Sequence, residues 1–281
     1  MLADDFHVGV VCSRGADPAQ GGRSHNEDNY LVCQDGQIRY RDGDQDRIAT
    51  RSGSGVLISV ADGMGGHQHG DLAAGAAVQA LSRLYYRARP AEPEAALHSF
   101  LVQGHRKLRE RASQGRLSNI GTTLAVVWVL DHVAHWAHVG DSRIYLFRNG
   151  ELSQLTCDHT RGEFARRDGR ATPIRPKGLA QSFIFGSRGL GCDGDIRIDA
   201  GTDTGQEDLL AGDQIMLCTD GLTSFVPSHR IAQIMQVSDR PQDCARALVK
   251  RAIAAGSDDN ITALVLRVVR SPNEPDMLSL W

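Results

Sequence analysis

No uncharged apolar run in this chain approaches the ~20 residues that a membrane-spanning helix needs, so a helical span is excluded. The start, Met1-Leu2-Ala3-Asp4-Asp5, lacks a basic segment followed by an apolar one, and no signal peptide is expected. A surplus of one charge is also missing. Against 31 Lys and Arg stand 34 Asp and Glu, a formal charge of −3, which excludes a globally basic nucleic-acid binder. No C-x-x-C pair occurs. The cysteines (Cys12, Cys33, Cys157, Cys192, Cys218, Cys244) are scattered, several within apolar strand-like runs where a thiol behaves as a small buried hydrophobe. Free structural thiols in a reducing compartment, hence a cytoplasmic protein, are expected. No internal repeat is present.

What is there is ordinary in bulk. Hydrophobic residues make up 41% and charged ones 23%, enough for a substantial core. Strand-like runs lie at about 6–12, 28–34 and 55–61, with a polar loop or hairpin over 35–54. Helical spacing follows from Gly70 to about Arg89 and from Pro93 to about Gln114. Strands are then expected over Thr122–Val129, Val133–Val139 and Arg143–Arg148, the last turning at Asn149-Gly150. A strand at 213–219, helices near 227–237 and 241–255, and a strand at 261–269 complete the pattern. Strands come in blocks separated by helix pairs, which argues for α+β layers rather than βαβα alternation. The interval 158–199 is weakly periodic, glycine-rich and biased toward arginine, as an active-site flap or a disordered loop would be. The tail 271–281 reads as a frayed terminus.

Acidic residues stand at the ends of the apolar runs. Asp62 follows Val56–Ala61, Asp141 follows His135–Gly140, Asp220 follows Gln214–Thr219, and Asp259 precedes Ile261–Leu266. Glu27-Asp28 precedes another such run. Carboxylates converging from strand ends repel one another unless a cation sits between them. Hard oxygen ligands of this kind suit magnesium or manganese rather than zinc. In Asp62-Gly63-Met64-Gly65-Gly66, Asp62 could bridge two cations while the Gly63 carbonyl ligates one; a strand-to-helix turn with a capping aspartate fits the same residues. Glu27 and Asp28 point to opposite faces of an extended backbone, so only one touches a metal directly or through water. Arg23 is suited to pair a tetrahedral oxyanion bidentately, or else to pair with Glu27 on the surface. Asp141, Asp220 and Asp259 also fit turns rich in Asp, Asn and Gly.

Taken in order, Arg23-x-x-Asn26-Glu27-Asp28, Asp62-Gly63-Met64-Gly65-Gly66, Gly121-Thr122-Thr123, Gly140-Asp141-Ser142-Arg143, Asp220-Gly221 and Asp259-Asn260-Ile261-Thr262 resemble the metal-dependent serine/threonine protein phosphatases of the phosphatase 2C type, in particular compact bacterial members. The resemblance spans residues 23–262. It implies a four-layer αββα sandwich, one catalytic domain over 1–270 with 158–199 as a flap-like insertion, and 271–281 as a tail. It implies two Mn²⁺ or Mg²⁺ ions: Asp62 bridging both, Asp220 and Asp259 completing the first site, and the Gly63 carbonyl serving the second. Glu27 and Asp28 would order metal-bound water, with Asp28 the direct or water-mediated ligand. Asp141, sharing Asp220, would hold a third, weaker ion, and Arg23 would grip the substrate phosphate. The implied reaction is attack of metal-activated water on phosphoserine or phosphothreonine in proteins, opposing a serine/threonine kinase.

Two departures stand out. Met64 occupies a position where many eukaryotic members carry a candidate acid histidine, and the 160–190 segment matches the bacterial flap poorly. The nearby His67 and His69 are expected to be structural or exposed. A silent phosphoprotein-binding module and a two-metal phosphodiesterase or nuclease are the competing functions. Intact ligands argue against the first, and the missing basic groove against the second.

Overall fold

Continuous apolar runs are expected where a strand is covered on both faces, and that is how the long runs are used. The computed structural model describes residues 5–51, 53–65, 70–86, 91–114, 120–173, 177–183 and 203–270. In chain order the strands are β1 (Phe6–Ser13), β2 (Asn29–Gln34), β3 (Gln37–Asp42), β4 (Gln45–Thr50), β5 (Val56–Ala61), β6 (Gly63–Gly65), β7 (Ile120–Thr122), β8 (Leu124–Leu130), β9 (Val133–Val139), β10 (Arg143–Arg148), β11 (Glu151–Gln154), β12 (Thr204–Asp208), β13 (Gln214–Cys218) and β14 (Ile261–Val268). The helices are α1 (Gly70–Tyr85), α2 (Pro93–Gln114), α3 (Arg161–Arg167), α4 (Asp220–Thr223), α5 (Ser228–Val237) and α6 (Pro241–Ala254).

A five-stranded sheet runs β1-β14-β13-β10-β11, a seven-stranded one runs β12-β9-β8-β5-β2-β3-β4, and β6 pairs with β7. Pairing between neighbours is antiparallel, as in Ser59 opposite Val126 and Val126 opposite Ala137. Strand β8 shows how the period-two alternation builds layers. Its Leu124, Val126, Trp128 and Leu130 pack with α1 and α2, while Ala125, Val127 and Val129 join the core between the sheets. In β13, Ile215 and Leu217 enter that same inter-sheet core; Met216 and Cys218 pack with α5 and α6 on the far side. The result is a helix–sheet–sheet–helix sandwich, α+β in class. Each such aliphatic side chain, fully withdrawn from water, contributes about 1.5–3 kcal/mol before entropy is counted.

Asn149 and Gly150 both have positive φ (53° and 84°), the backbone a two-residue I′ hairpin demands, and β10 and β11 pair around them as expected. The polar stretch after residue 35 is the β3–β4 hairpin. Strand β4 is exposed along its whole length, including Ile48. The outer strand β1 is finished differently. Val10 donates its N–H to Gln242 Oε1 at 3.1 Å and accepts from Gln242 Nε2 at 3.0 Å, so one side chain from α6 fills the place of a neighbouring strand. A Cβ on Gly9 would meet the Gln242 backbone nitrogen at 2.2 Å, so only glycine lets α6 lie this close.

Several expectations need adjustment. The strand expected over Thr122–Val129 is interrupted at Thr123, where β7 ends and β8 begins. Helix α1 stops at Tyr85 rather than near Arg89. Asp220 is the first residue of α4, a turn of helix not anticipated, rather than part of a loop. Strand β12 and helix α3 were also not anticipated. Helix α3 starts with Thr160 accepting from the Glu163 N–H at 3.2 Å, the S/T-x-x-E arrangement of a capping box. His67, His69 and Cys192 lie outside the described residues, as do 184–199 of the weakly periodic interval and the tail; the other cysteines are free. Among the described residues, no helix is long and apolar enough to cross a membrane.

Candidate active site

Arg23, Glu27, Asp62, Gly63, Asp141, Asp220 and Asp259 line one cavity of about 610 Å³ at one end of the paired sheets, together with Met64, Thr123, Leu179 and Asn260. Asp28 lies behind it and is only 3% exposed. Every residue given a metal or phosphate role from the sequence therefore lines this cavity or, for Asp28, lies behind it.

The backbone explains how. Asp62 leaves β5 and is fastened to the start of β8: its N–H donates to Thr123 Oγ1 at 3.0 Å, and its carbonyl accepts from Thr123 N and Thr122 Oγ1, each at 2.9 Å. Thr123 Oγ1 is in turn 2.6 Å from Ser142 Oγ, beside Asp141. Gly63 has no room for a side chain, since a Cβ would meet the carbonyl oxygens of Gly70 at 2.3 Å and Glu27 at 2.4 Å. At Gly221 the Asn260 carbonyl oxygen would stand 2.0 Å from a Cβ, so this glycine lets the Asp259 turn approach Asp220.

Asp28 is held from the opposite sheet. Its Oδ2 accepts from Thr219 Oγ1 at 2.9 Å and Thr262 Oγ1 at 2.7 Å, while its Oδ1 is buried with no hydrogen-bond partner. Asn260 ties down the segment before it. Its Oδ1 accepts from Glu27 N at 2.8 Å, and its Nδ2 donates to the carbonyls of His25 at 2.9 Å and Arg14 at 3.0 Å. Arg23 pairs with Asp259 at 2.9 Å, not with Glu27. Arg143 is engaged bidentately by Asp158 at 2.8 and 2.7 Å, outside the cavity.

Crowding shows in the acidities. Burial first, then repulsion from Asp28, Asp220, Asp141 and Asp259, lifts the Asp62 carboxyl well above the usual range. Burial lifts Asp28 to about 7, with Asp220 and Asp259 adding to the rise and the Thr262 and Thr219 hydroxyls opposing it. Asp141 also rises to about 7, through burial and then Asp220 and Asp158. Glu27 and Asp220 are raised chiefly by burial. Two like charges about 4 Å apart repel by about 4 kcal/mol at an effective dielectric near 20. Such a set is poorly arranged as a free-standing feature and well arranged around divalent cations: the donors are hard oxygens, and the orphaned Asp28 Oδ1 lacks only a positive partner. The site therefore fits Mg²⁺ or Mn²⁺.

Sequence reasoning missed Thr219, which precedes Asp220, and left Thr262 and Asn260 without a role. It also overlooked Leu179, which the segment 177–183 brings to the cavity wall. Among the described residues no cysteine lines the cavity, and burial pushes the Cys218 thiol up to about 12, far from a reactive thiolate.

Comparison with known proteins agrees with this arrangement. The profile of the Protein phosphatase 2C family matches residues 22–251. Protein phosphatase PhpP of Streptococcus pneumoniae is 32% identical over 250 residues, covering 88% of this chain and 98% of that one. Serine/threonine phosphatase stp of Listeria monocytogenes is 29% identical over 243 residues, covering 82% and 92%. Among solved structures, the Mycobacterium tuberculosis serine/threonine phosphatase PstP superposes with a TM-score of 0.70 at 26% identity, covering 94% of this chain and 99% of that one. The PstP catalytic domain has also been solved with two manganese ions, again with a TM-score of 0.70 at 26% identity, covering 94% and 98%. With the carboxylate cavity, the αββα layers and a family profile spanning most of its length, this chain belongs to the protein phosphatase 2C family.

Proposed function

We propose that this enzyme hydrolyses phosphoserine and phosphothreonine in cytoplasmic proteins, opposing a serine/threonine kinase, at a centre of two Mn²⁺ or Mg²⁺ ions. The observation that carries this reading is the convergence of Glu27, Asp62, Asp141, Asp220 and Asp259 on one cavity with Asp28 behind them. Asp62 would lie between the ions, Asp220 and Asp259 would complete the first site, and the Gly63 carbonyl would serve the second. Asp141 and Asp220 would share a third, weaker ion. Two such ions, when bound, supply Lewis-acid charge at the phosphoryl oxygens and lower the pKa of water.

The chain's own groups do the rest. Asp28, oriented by Thr219 and Thr262, and Glu27, fixed through its backbone by Asn260, accept hydrogen bonds from the water that attacks phosphorus. Arg23 swings from Asp259 to the phosphate, where its planar fork matches two oxygens. Leu179 and Met64 supply apolar wall beside this polar floor, excluding bulk water and strengthening each electrostatic contact. Met64 has no proton to give, so the serine or threonine alkoxide takes its proton from water. The catalytic unit is read as residues 1–270, with 158–199 as a flap-like insertion.

Titrating Mn²⁺ into chelator-treated protein, while following release of phosphate from a phosphothreonine peptide, tests this. Turnover should rise from baseline to saturation with added metal. Full turnover in excess chelator would overturn the proposal; tight phosphopeptide binding without turnover at saturating Mn²⁺ would instead mark a binding module.

A further inference from the structure

His138 on β9, His159 just before α3 and Asp203 just before β12 meet in the interior, their nitrogen and oxygen ligand atoms all within 4.8 Å of one another. By residue type the trio fits a transition metal, and both ring nitrogens of His138 lack a hydrogen-bond partner. Two observations argue against a metal. The Gly140 N–H donates to His159 Nδ1 at 3.2 Å, so Nδ1 carries the lone pair and the proton resides on Nε2. That Nε2 lies 2.9 Å from Asp203 Oδ1 and donates to it. A metal held at Nε2 beside Asp203 would need that nitrogen bare and Nδ1 donating to an acceptor, whereas here Nδ1 accepts. The Arg167 guanidinium also acts electrostatically on both His138 and Asp203, which disfavours a second cation there. His138 sits with its ring nearly perpendicular to that of His159 (81°, centroids 4.5 Å apart).

We propose that His159 and Asp203 form a positioning pair for Asp141. Asp203 Oδ1 accepts from His159 Nε2, His159 Nδ1 accepts from Gly140 N, and Gly140 is the residue before Asp141. The His159 backbone closes the clamp, donating to the Gly140 carbonyl at 2.8 Å. Asp203 is tied back to the same strand, since its carbonyl accepts from His138 N at 2.9 Å. Gly140 itself has φ +108°, and a Cβ there would meet the Thr123 side chain at 2.6 Å, so its conformation needs glycine and is held from both sides. His159 also reaches the cavity wall at Leu179. Its carbonyl accepts from Ala180 N at 2.7 Å, next to Leu179. His159 thus holds the turn before Asp141 through its ring and its N–H, and the segment carrying Leu179 through its carbonyl.

This inference rests on reading Asp141 as a ligand of the weakest ion. The test counts Mn²⁺ bound at equilibrium, by the paramagnetic resonance signal of free Mn²⁺, in wild type, Asp141→Asn, His159→Leu, His159→Asn, Asp203→Ala and Asp203→Asn, with melting curves on each. His159→Leu and Asp203→Ala should weaken the weakest class of sites about tenfold, the size typical when a partner of a metal ligand is lost, leaving the tighter classes within about twofold. His159→Asn retains an acceptor for Gly140 N and should lie close to wild type, as should Asp203→Asn, which still accepts from Nε2. If Asp141→Asn loses the weak class while folded His159→Leu and Asp203→Ala keep it at wild-type affinity, the positioning role is overturned. If Asp141→Asn itself binds like wild type, the ligand reading fails instead. Should His159→Leu not fold, the two Asp203 variants decide, since a purely structural role lowers their melting temperature without moving the weak class. Stoichiometric zinc in the purified protein, lost in His138→Leu, would overturn the proposal in favour of a metal.

Discussion

Arg23 Nη2 lies 2.9 Å from Asp259 Oδ2, so the guanidinium proposed to grip the phosphate rests on a proposed metal ligand. The pair is half open to water, with side-chain exposures of 56% and 32%, and exposed pairs of this kind contribute about 0–1 kcal/mol. Arg23 can therefore leave Asp259 at little expense once a dianionic phosphate arrives. A hydrogen bond to a charged group is worth about 1.5–3 kcal/mol, which is about 10–100-fold in rate. Arg23→Ala should lower kcat/KM on a phosphothreonine peptide by that factor, and Arg23→Lys should recover only part of it. Steady-state kinetics at saturating Mn²⁺ measures this; an unchanged kcat/KM in Arg23→Ala means the arginine never leaves its carboxylate.

Asp62 is crowded by Asp28, Asp220, Asp141 and Asp259, so its removal should separate repulsion from metal binding. Asp62→Asn relieves charge in the chelated protein and removes the proposed bridging ligand together. In wild type, Mn²⁺ at about 100 times its dissociation constant should stabilise the fold by about 2.7 kcal/mol. The variant should show little of that gain, no detectable turnover, and a chelated form at least as stable as wild type. Urea titrations with and without Mn²⁺ read all of this; a metal-induced gain equal to that of wild type counts against Asp62 as a ligand.

Thr262→Val tests the hold on Asp28. The hydroxyl at 2.7 Å is the shorter of the two that orient Oδ2, and valine matches threonine in shape without the donor. Asp28 should then rotate more freely, and the Mn²⁺ concentration for half-maximal activity should rise about tenfold. Calorimetric Mn²⁺ titration should show the same change, whereas a lower melting temperature with unaltered Mn²⁺ affinity would reduce Thr262 to a packing residue.

His138 sets a pH dependence outside the carboxylate-lined cavity. Burial, and then the neighbouring His159, push its pKa down to about 3 from an ordinary 6.5. Above pH 6.5 both folded and unfolded chains hold it neutral, and its stabilising effect is fully present. Below that, the unfolded chain takes up a proton that the folded chain refuses, so stability falls by about 1.4 kcal/mol per pH unit until the folded group titrates. Between pH 6.5 and 5, wild type should lose about 2 kcal/mol more than His138→Leu in urea unfolding. Parallel losses in the two proteins would show that His138 does not titrate differently on folding.

The acidic ring was legible because each member sits beside an apolar run that could only be a strand, and strands in a sandwich end on a common rim. The rest depended on pairings that sequence distance conceals. Thr219 and Thr262 meet Asp28 across 191 and 234 residues. Strand β12, Thr204–Asp208, is polar and, among the described residues, pairs only with β9, so no hydrophobic alternation announces it. Helix α3 is short and has Gly162 in its first turn, which masks its periodicity, although Thr160 and Glu163 carried its capping signal. Arg23 could be assigned an anion but not the particular carboxylate on which it waits, because Asp259 reaches it through the fold alone.

The amide of Gln242 closes the free margin of β1 by satisfying both the donor and the acceptor of Val10. At Val10 that edge is thereby closed by a single uncharged residue rather than by a repelling lysine or a bulge. Shortening it to alanine would leave an amide and a carbonyl seeking partners from outside the molecule, and self-association at high concentration would be its signature.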